Sequence, residues 1–312
     1  MPHSALQILL RLGSRGSKLA CAQAELVRQA LVAKANIQTE LVTVKTTGDL
    51  LKDKPLADIG GKGLFAKELE EALLSARIDL AVHSMKDLPV ELPAGLKIVA
   101  TPAREDPADA LLSHRGKTLD DLPANARIGT GSVRRAAQIA RRRPDLEIVP
   151  LRGNVDTRIA KLDRGELDAI VLALAGLRRL NLEARATAVL DPEDWLPALA
   201  QGALAIEMRE GDSNCRTVSQ VLDDAPTAIA LACERGFQAA LGGTCRTPIS
   251  GHARIENRVL RFRGEVLAPD GSKSEEASCT IRLGSDPHRE AAHAGHEAGL
   301  AIRSRARAWL EL

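Results

Sequence analysis

The sequence predicts an α/β fold of two sheet-and-helix blocks, followed by a smaller α+β unit. Over the first two-thirds of the chain, short apolar runs alternate with segments of helical period, which is typical of parallel strands covered by helices on both faces. The last third contains strand-like runs joined by tight-turn signals. At 312 residues the chain is long enough for two or three compact units, because single cores seldom grow beyond about 250–300 residues.

The first block begins with a strand and a helix and ends with two strands. The predicted strands are 8–13, 39–46, 79–84 and 96–101, and the predicted helices are 17–34 and 64–77. Pro89 and Pro93 lie between the last two strands. Because proline lacks a backbone N–H, we expect a loop there.

The second block repeats this layout. Its predicted strands are 126–130, 146–151 and 169–174, and its predicted helices are 132–143 and 155–165. The run 169–174 is continuously apolar, as expected for a strand that is buried on both faces. The proline-rich and charged stretch 101–107 separates the blocks, and we expect a parallel sheet in each.

The final unit is predicted to contain a helix at 227–241, a hairpin of strands 249–255 and 259–268, a further strand and a terminal helix at 286–310. The sequence Pro269-Asp270-Gly271 is a strong turn signal. We therefore expect three domains: residues 1–102 together with 203–220, residues 106–198, and residues 225–312.

Composition excludes several classes of function. The net charge is only +2, aromatic residues make up 2% and tyrosine is absent, which argues against nucleic-acid binding by base stacking. The chain has neither the features of a signal peptide nor a run of about 18 apolar residues, so we expect no membrane partner. Five cysteines without CxxC spacing indicate reduced thiols, a cytoplasmic location and no metal site.

One candidate site follows a buried strand. The strand ends at Ser84 and is followed at once by Lys86 and Asp87. In open α/β sheets ligands bind outside the carboxyl ends of strands, so an acid and a base here are candidate site groups. A carboxylate in this position can stabilise developing positive charge. A solvated ion pair within the loop explains the same residues equally well.

Arginines recur where predicted strands end and helices begin. They are Arg11 and Arg15, then Arg134 and Arg135, then Arg152 and Arg158. Helix N-termini bind anions through free N–H groups, and arginine adds bidentate donors for carboxylates. Because the macrodipole disfavours cations there, the repetition indicates an external anion; the alternative is pairing with nearby Asp or Glu. Arg141–Arg143 end a helix, where cations suit the dipole, and are interpreted as structural.

Two glycine-rich segments are candidate loops beside a site. Segment 58–65 lacks the Ser or Thr that follows the lysine of a phosphate-binding loop. We interpret it as a lid, with Phe65 either facing a flat ring or packed in the core. Segment 242–248 places Cys245 beside Arg246, which favours the thiolate; an ordinary loop thiol is the alternative.

Together these stretches resemble the hydroxymethylbilane synthase (porphobilinogen deaminase) family. The most specific motif is AVHSMKDLPVE at 81–91, supported by GGKGLFAKELE, RRRPDLEIVPLRGNV and DAIVLALAGLRRL. The resemblance runs from Arg11 to about Pro269. It implies two α/β domains with the topology of periplasmic receptors and a small third α+β domain that carries a cofactor cysteine.

The resemblance also implies an activity. Such a chain is a transferase that deaminates porphobilinogen and joins four units head to tail into hydroxymethylbilane, on a covalently attached dipyrromethane primer, in tetrapyrrole (haem) biosynthesis. It implies a cytoplasmic monomer with porphobilinogen as its small-molecule substrate, and hand-off of the product to uroporphyrinogen III synthase.

Residue roles follow from the same resemblance. Cys245 would hold the dipyrromethane through a thioether, and Asp87 would be the catalytic carboxylate. The remaining cofactor-binding residues would be Ser84, Lys86, Ser132, Arg134, Arg135 and Arg158. The substrate-binding residues would be Arg15, Ser17, Phe65, Arg152, Arg179 and Gln201.

The sequence departs from the family pattern in three places. Gly131 stands where the family usually has serine, Thr244 precedes the cysteine where glycine is common, and Ala200 replaces glycine before Gln201. The main rival interpretation is a two-domain binding protein for a small anion. Such a protein would have no use for Asp87 together with a loop cysteine on a third unit.

Overall fold

The computed structural model describes residues 9–47, 66–242 and 247–309. Phe65, Thr244 and Cys245, and with them the predictions made for segment 58–65, lie outside these ranges. The strands are β1 (Leu9–Arg15), β2 (Gln38–Val44), β3 (Leu80–Ser84), β4 (Leu96–Ala100), β5 (Asp109–Ser113), β6 (Arg127–Thr130), β7 (Glu147–Pro150), β8 (Ala169–Ala173), β9 (Ala188–Leu190), β10 (Leu204–Arg209), β11 (Ile249–Glu256), β12 (Val259–Leu267) and β13 (Ser274–Arg282). The α-helices are α1 (Lys18–Ala35), α2 (Lys67–Leu74), α3 (Val133–Arg142), α4 (Val155–Asp163), α5 (Leu174–Arg179), α6 (Cys215–Leu222), α7 (Ala225–Leu241) and α8 (Pro287–Arg307).

The chain divides into two compact units. Of the described residues, the first unit contains 9–47, 66–104 and 203–228, and the second contains 105–202, 229–242 and 247–309. The chain therefore leaves the first unit after residue 104 and returns to it at residue 203. None of the helices in the described ranges is both long and apolar enough to cross a membrane.

The first unit is built on a five-stranded sheet in the order β2-β1-β3-β10-β4. Strands β1, β2 and β3 are parallel, whereas β10 runs antiparallel to both of its neighbours. Helix α1 covers one face, because Ala24, Val27 and Leu31 follow helical spacing and pack against the apolar side chains of β1 and β3. Leu69 and Leu73 of α2 belong to the core on the other face.

The second unit contains a sheet with the same plan, in the order β7-β6-β8-β5-β9. Its β6, β7 and β8 are parallel, and β5 is antiparallel to β8 and β9. Strand β8 is buried over most of its length, as its apolar run predicted. The predicted α/β class is confirmed, but the expectation of wholly parallel sheets is wrong. In each sheet one strand is reversed, β5 just after the chain leaves the first unit and β10 just after it returns.

The remainder of the second unit is the expected α+β part. Strands β11, β12 and β13 form an antiparallel sheet, and side chains of α7 and α8 share one core with it. The predicted hairpin is confirmed, with Asn257 and Arg258 at φ values of 50° and 61°. Two consecutive residues with positive φ form the two-residue hairpin turn whose twist matches that of the flanking strands. Helix α8 begins at its N-cap Asp286, whose side chain accepts a hydrogen bond from the N–H of Arg289.

The two ends of segment 105–202, called the chain crossings below, lie side by side within the second unit. The N–H of Glu105 donates to the carbonyl oxygen of Gly202 at 3.3 Å. Gly202 has φ +88°, and a Cβ there would lie 2.1 Å from the carbonyl oxygen of Glu105. Only glycine permits both this conformation and this approach.

We predict that Gly202→Ala destabilises the protein by about 3 kcal/mol, since it adds a backbone clash to a left-handed conformation. Gly165 is a matched control, with φ +73° and nothing within 4 Å of the position that a Cβ would take. Gly165→Ala should cost only about 1 kcal/mol. The measurement is the free energy of unfolding in urea, followed by circular dichroism. Equal losses in the two variants would contradict the close packing of the crossings.

Candidate active site

In the first unit, the predicted site residues lie at or just after the ends of two neighbouring parallel strands. Gly13 of β1 is level with Ala81 of β3, so the residues after the two strands emerge at the same edge of the sheet. Arg15 is the last residue of β1 and Ser17 follows it, whereas Ser84 is the last residue of β3 and Lys86 and Asp87 follow it. The structure therefore brings these predicted residues to one edge, as expected for a ligand site in an α/β sheet.

The side chains of Ser17 and Ser84 at this edge are both hydrogen-bonded to helix α1. Ser17 is the N-cap of α1 and its side chain accepts a hydrogen bond from the N–H of Ala20 at 3.2 Å. Nε2 of Gln23, one turn further on, donates to Oγ of Ser84 at 3.0 Å. Helix α1 thus fixes both hydroxyl groups relative to the strand ends.

Asp87 and Lys86 lie on a single 3-10 turn, Met85–Asp87. The turn is anchored by Met85, whose side chain is buried and whose N–H donates to the carbonyl oxygen of Ala203 at 3.0 Å. The side chains of Lys86 and Asp87 are exposed. The backbone is therefore fixed while the acid and the base face outward, where they can contact a ligand.

A buried acidic cluster lies directly before this turn. Nε2 of His83 is 3.0 Å from Oε2 of Glu207, and both side chains are buried. Glu70 on α2 is also buried, and its pKa is raised by desolvation and by the negative charge of Glu207, against a smaller opposing effect of His83. Oε1 of Glu70 and Oε1 of Glu207 are buried oxygens without a hydrogen-bond partner in the described part of the chain.

In the second unit, the predicted residues again gather where parallel strands end. Ser132 follows β6 and is the N-cap of α3, with its side chain accepting a hydrogen bond from the N–H of Arg135. Arg152 follows β7, and Arg179 ends α5, which follows β8. Because β7, β6 and β8 are adjacent and parallel, the positions of Ser132, Arg152 and Arg179 share one edge of the sheet. This edge is called the second edge below.

Arg134 and Arg135 are buried and share one carboxylate, that of Asp109. Nη2 of Arg134 donates to it at 2.8 Å, and Nε and Nη2 of Arg135 donate at 3.1 and 2.7 Å. Burial by itself raises the pKa of Asp109, but the charges of both arginines and the hydrogen bonds to it lower that pKa below its usual range. The alternative interpretation, pairing with an acid of the protein itself, therefore accounts for part of the arginine pattern at this position.

Arg11 is a second case of internal pairing. Its Nε and Nη2 donate to the two carboxylate oxygens of Asp79 at 3.0 and 2.8 Å, and Nη2 of Arg209 lies 3.3 Å from Oδ1 of Asp79. The alternative interpretation, pairing with a nearby acid, is the right one for Arg11. The structural interpretation of the helix end is confirmed, since Arg141, Arg142 and Arg143 pair with Glu265, Asp120 and Asp145.

The arginines of the second unit differ in whether their guanidinium nitrogens donate hydrogen bonds to acceptors within the protein. Nε of Arg158 donates to the carbonyl oxygen of Gly153 at 2.8 Å, and Nη2 of Arg179 donates to that of Gly202 at 2.6 Å. Nη1 of Arg152 and Nε of Arg134 are buried nitrogens without a hydrogen-bond partner among the described residues. Buried donors of this kind are rare in proteins.

Gln201 joins the edge of the second sheet to the chain crossings. It is buried, and its Nε2 donates to the carbonyl oxygen of Pro107 and to Oδ1 of Asp109, both at 2.7 Å. Next to it, Ala200 has φ +58°, a conformation in which alanine is strained and glycine is not. The replacement of glycine by Ala200 therefore places strain beside Gln201.

The departure at Gly131 also has a structural counterpart. A Cβ at this position would lie 2.5 Å from the carbonyl oxygen of Leu151. A serine here would need a shift of the backbone, so in this chain the turn after β6 and the turn after β7 approach more closely than a side chain would allow.

Sequence reasoning missed the carboxylate that organises the second edge. Asp109 begins β5, which was not predicted as a strand, and Nε1 of Trp195 also donates to it at 2.8 Å. The available signal was an aspartate at the head of an otherwise apolar run, Asp109–Ser113, because a charge in a buried strand must be paired. The cysteines in the described part, Cys21, Cys215, Cys233 and Cys279, form no disulfide.

Comparison with known proteins gives consistent matches along the chain. Residues 10–217 match the family model "Porphobilinogen deaminase, dipyromethane cofactor binding domain", and residues 228–304 match "Porphobilinogen deaminase, C-terminal domain". The chain belongs to the porphobilinogen deaminase family. The porphobilinogen deaminase of Nitrobacter hamburgensis is 47% identical over 302 residues, covering 96% of this chain and 94% of that protein.

A relative from another genus agrees. The porphobilinogen deaminase of Syntrophobacter fumaroxidans is 47% identical over 295 residues, which is 94% of each chain. Among solved structures, a periplasmic substrate-binding protein of an ABC transporter from Coxiella burnetii is 15% identical with a TM-score of 0.44, covering 72% of this chain and 96% of that chain. The strand pairing described above, rather than this low score, shows the fold class.

Members of the porphobilinogen deaminase family are transferases that polymerise porphobilinogen on a dipyrromethane cofactor. The residues of the second edge fit such a group. Dipyrromethane and its extended products carry carboxylates, and buried guanidinium nitrogens of Arg134 and Arg152 lack an acceptor within the described ranges. Carboxylates are the acceptors that guanidinium groups bind best.

The buried cluster of His83, Glu207 and Glu70, next to the turn Met85–Asp87, generates a prediction about stability. Because the pKa of Glu70 is raised in the folded state, its stabilising contribution is present below the usual glutamate pKa of about 4.3 and is lost as the pH rises through the folded-state value. Glu70→Gln should therefore leave stability unchanged at acid pH and increase it near neutral pH. Exposed Glu71 on the same helix is the control. Unfolding free energies of both variants across pH test this, and a pH-independent effect of Glu70→Gln would refute it.

Proposed function

We propose that this chain is a hydroxymethylbilane synthase in which Asp87 is the catalytic carboxylate and Cys245 holds the dipyrromethane through a thioether. The observation that carries the proposal is the shared edge of the second sheet, where Ser132, Arg152 and Arg179 follow three adjacent strands. At that edge Nη1 of Arg152 is buried without an acceptor in the described chain. Such an edge suits a ligand that carries several carboxylates.

Asp87 supplies the charge that the reaction requires. Dipyrromethane, when bound, supplies the pyrrole to which the first substrate unit is joined. Positive charge develops both when ammonia is lost and when two pyrroles are coupled. A carboxylate that is held in place stabilises this charge. The anchored turn Met85–Asp87 holds the carboxylate in place, so that little reorganisation accompanies the reaction. Asp87 also accepts hydrogen bonds from pyrrole N–H groups.

The cationic and hydroxyl side chains hold carboxylates. Each pyrrole unit brings two carboxylates, so the lengthening product is a polyanion, whereas the net charge of the chain is only +2. Local groups of arginines meet this need without a basic surface. Cofactor binding is assigned to Ser84, Lys86, Ser132, Arg134, Arg135 and Arg158, and substrate binding to Arg15, Ser17, Phe65, Arg152, Arg179 and Gln201.

The wider assignments belong to the same proposal. Residues 1–102 with 203–220, residues 106–198 and residues 225–312 form three domains, and the family matches at 10–217 and 228–304 support a boundary before the last of them. The protein acts as a cytoplasmic monomer, and uroporphyrinogen III synthase receives its product.

The covalent cofactor is tested by intact mass. The purified chain should be heavier than its sequence by two linked pyrrole units, and Cys245→Ser should show only its sequence mass. Asp87→Asn should retain the fold and the added mass but lose about 10²- to 10³-fold in kcat, because it removes one preorganised charge. Turnover near that of the wild type in Asp87→Asn would refute the role of this carboxylate.

The role of the second edge is tested at Arg152. Arg152→Leu should raise the KM for porphobilinogen or stall elongation, since one donor to a carboxylate is lost. Arg142→Leu is the matched control, because Arg142 pairs with exposed Asp120 at 2.7 Å on the helix α3. The measurements are steady-state kinetics and mass spectra of enzyme with partly extended chains. Identical kinetics in the two variants would contradict the assignment.

A further inference from the structure

Asp109 is the most heavily hydrogen-bonded carboxylate in the described part of the second unit. It is fully buried and accepts from Arg134, from Arg135 at two nitrogens, from Gln201 and from Trp195, all within 3.1 Å. Arg134 and Arg135 lie on helix α3, whereas Trp195 and Gln201 lie in the segment between β9 and β10. One side chain therefore fixes groups that lie far apart in the sequence.

The position of Asp109 follows from the reversed strand. Asp109 is the first residue of β5, and because β5 is antiparallel it lies level with Ala173, the last residue of β8. The carboxylate thus lies at the edge where β6 and β8 end and α3 begins. In a wholly parallel sheet, the first residue of this strand would lie at the opposite edge.

Consecutive arginines on a helix would normally point apart. Successive side chains of an α-helix are separated by about 100°, and two buried guanidinium groups also repel one another. Here Oδ1 of Asp109 binds Arg135 and Oδ2 binds Arg134, so a single carboxylate holds both. Two guanidinium groups against one carboxylate leave one positive charge unbalanced, and Nε of Arg134 has no acceptor in the described chain.

We infer that Asp109 is the positioning residue for the arginine pair that receives a carboxylate of the dipyrromethane. It fixes the orientation of Arg134 and Arg135, balances one of their charges and leaves the other for the ligand. This inference rests on the cofactor-binding role proposed above for the two arginines. Asp109 itself does not touch the ligand, so its effect is on loading of the cofactor and not on the chemical step.

The first unit supplies a matched control. Asp79 likewise joins two arginines, Arg11 and Arg209, but it precedes β3, at the edge opposite to Asp87. Asp79→Asn therefore breaks a comparable arginine–carboxylate cluster that has no assigned ligand. A purely structural role for Asp109 would make the two variants behave alike.

The experiment follows cofactor loading. Wild type, Asp109→Asn and Asp79→Asn are produced as unloaded protein in cells starved of porphobilinogen, then supplied with porphobilinogen, and the mass increase is followed with time. Asp109→Asn should load about tenfold more slowly at limiting porphobilinogen, equivalent to losing one charge-assisted interaction. Excess porphobilinogen should restore loading, and kcat of the loaded fraction should be close to that of the wild type. Asp79→Asn should load as the wild type does.

Trp195→Phe covers the case in which Asp109→Asn does not fold. It removes only the indole donor to Asp109 and keeps every charge, and should slow loading by a smaller factor while the protein remains folded. Loading of Asp109→Asn at the wild-type rate would overturn the inference, and so would equal loading defects in Asp109→Asn and Asp79→Asn. If Asp109→Asn does not fold, loading of Trp195→Phe at the wild-type rate would overturn it. Wild-type protein that gains no mass at all would instead refute the proposed function.

Discussion

The pairing of buried guanidinium groups with a buried carboxylate is the interaction on which the second sheet edge depends. Taking charges out of water is costly unless each is paired and hydrogen-bonded. Asp109 pairs with both Arg134 and Arg135 and balances one of their two positive charges, and its bonds from Gln201 and Trp195 tie the same point to the returning chain. One side chain is therefore hydrogen-bonded both to the two arginines and to the returning chain.

The sheet topology explains why, within each unit, the proposed site residues lie at one edge of its sheet. Parallel strands end at the same side, so β1 and β3 in one unit, and β6, β7 and β8 in the other, each deliver the residues that follow them together. The reversed strands β5 and β10 bring the crossing segments to these edges. Asp109 begins β5, and Ala203, just before β10, accepts the hydrogen bond that anchors the turn of Asp87.

Charge is balanced locally. The chain as a whole is close to neutral, and many surface arginines are paired with acids, as at Arg141–Arg143. Against this background, Nη1 of Arg152 is an exception, because it is buried without an acceptor in the described chain, and the proposed role of Arg152 in ligand binding rests on this difference. In the proposed function, selectivity for polycarboxylates comes from a few oriented donors rather than from a general positive field.

The sequence by itself determined the α/β class, most strands and helices, the β11–β12 hairpin and the family, because hydrophobic period, turn residues and the motif around Asp87 are local signals. It also placed Ser84, Lys86 and Asp87 after a buried strand. It could not assign the arginines, since Arg11 and Arg152 both lie close to the end of a predicted strand and only their distant partners differ. Asp79 pairs with Arg11, whereas buried Nη1 of Arg152 lacks a partner among the described residues. The reversed strands, the position of Asp109 and the close approach at Gly202 were decided by tertiary structure, because each depends on contacts between segments far apart in the chain.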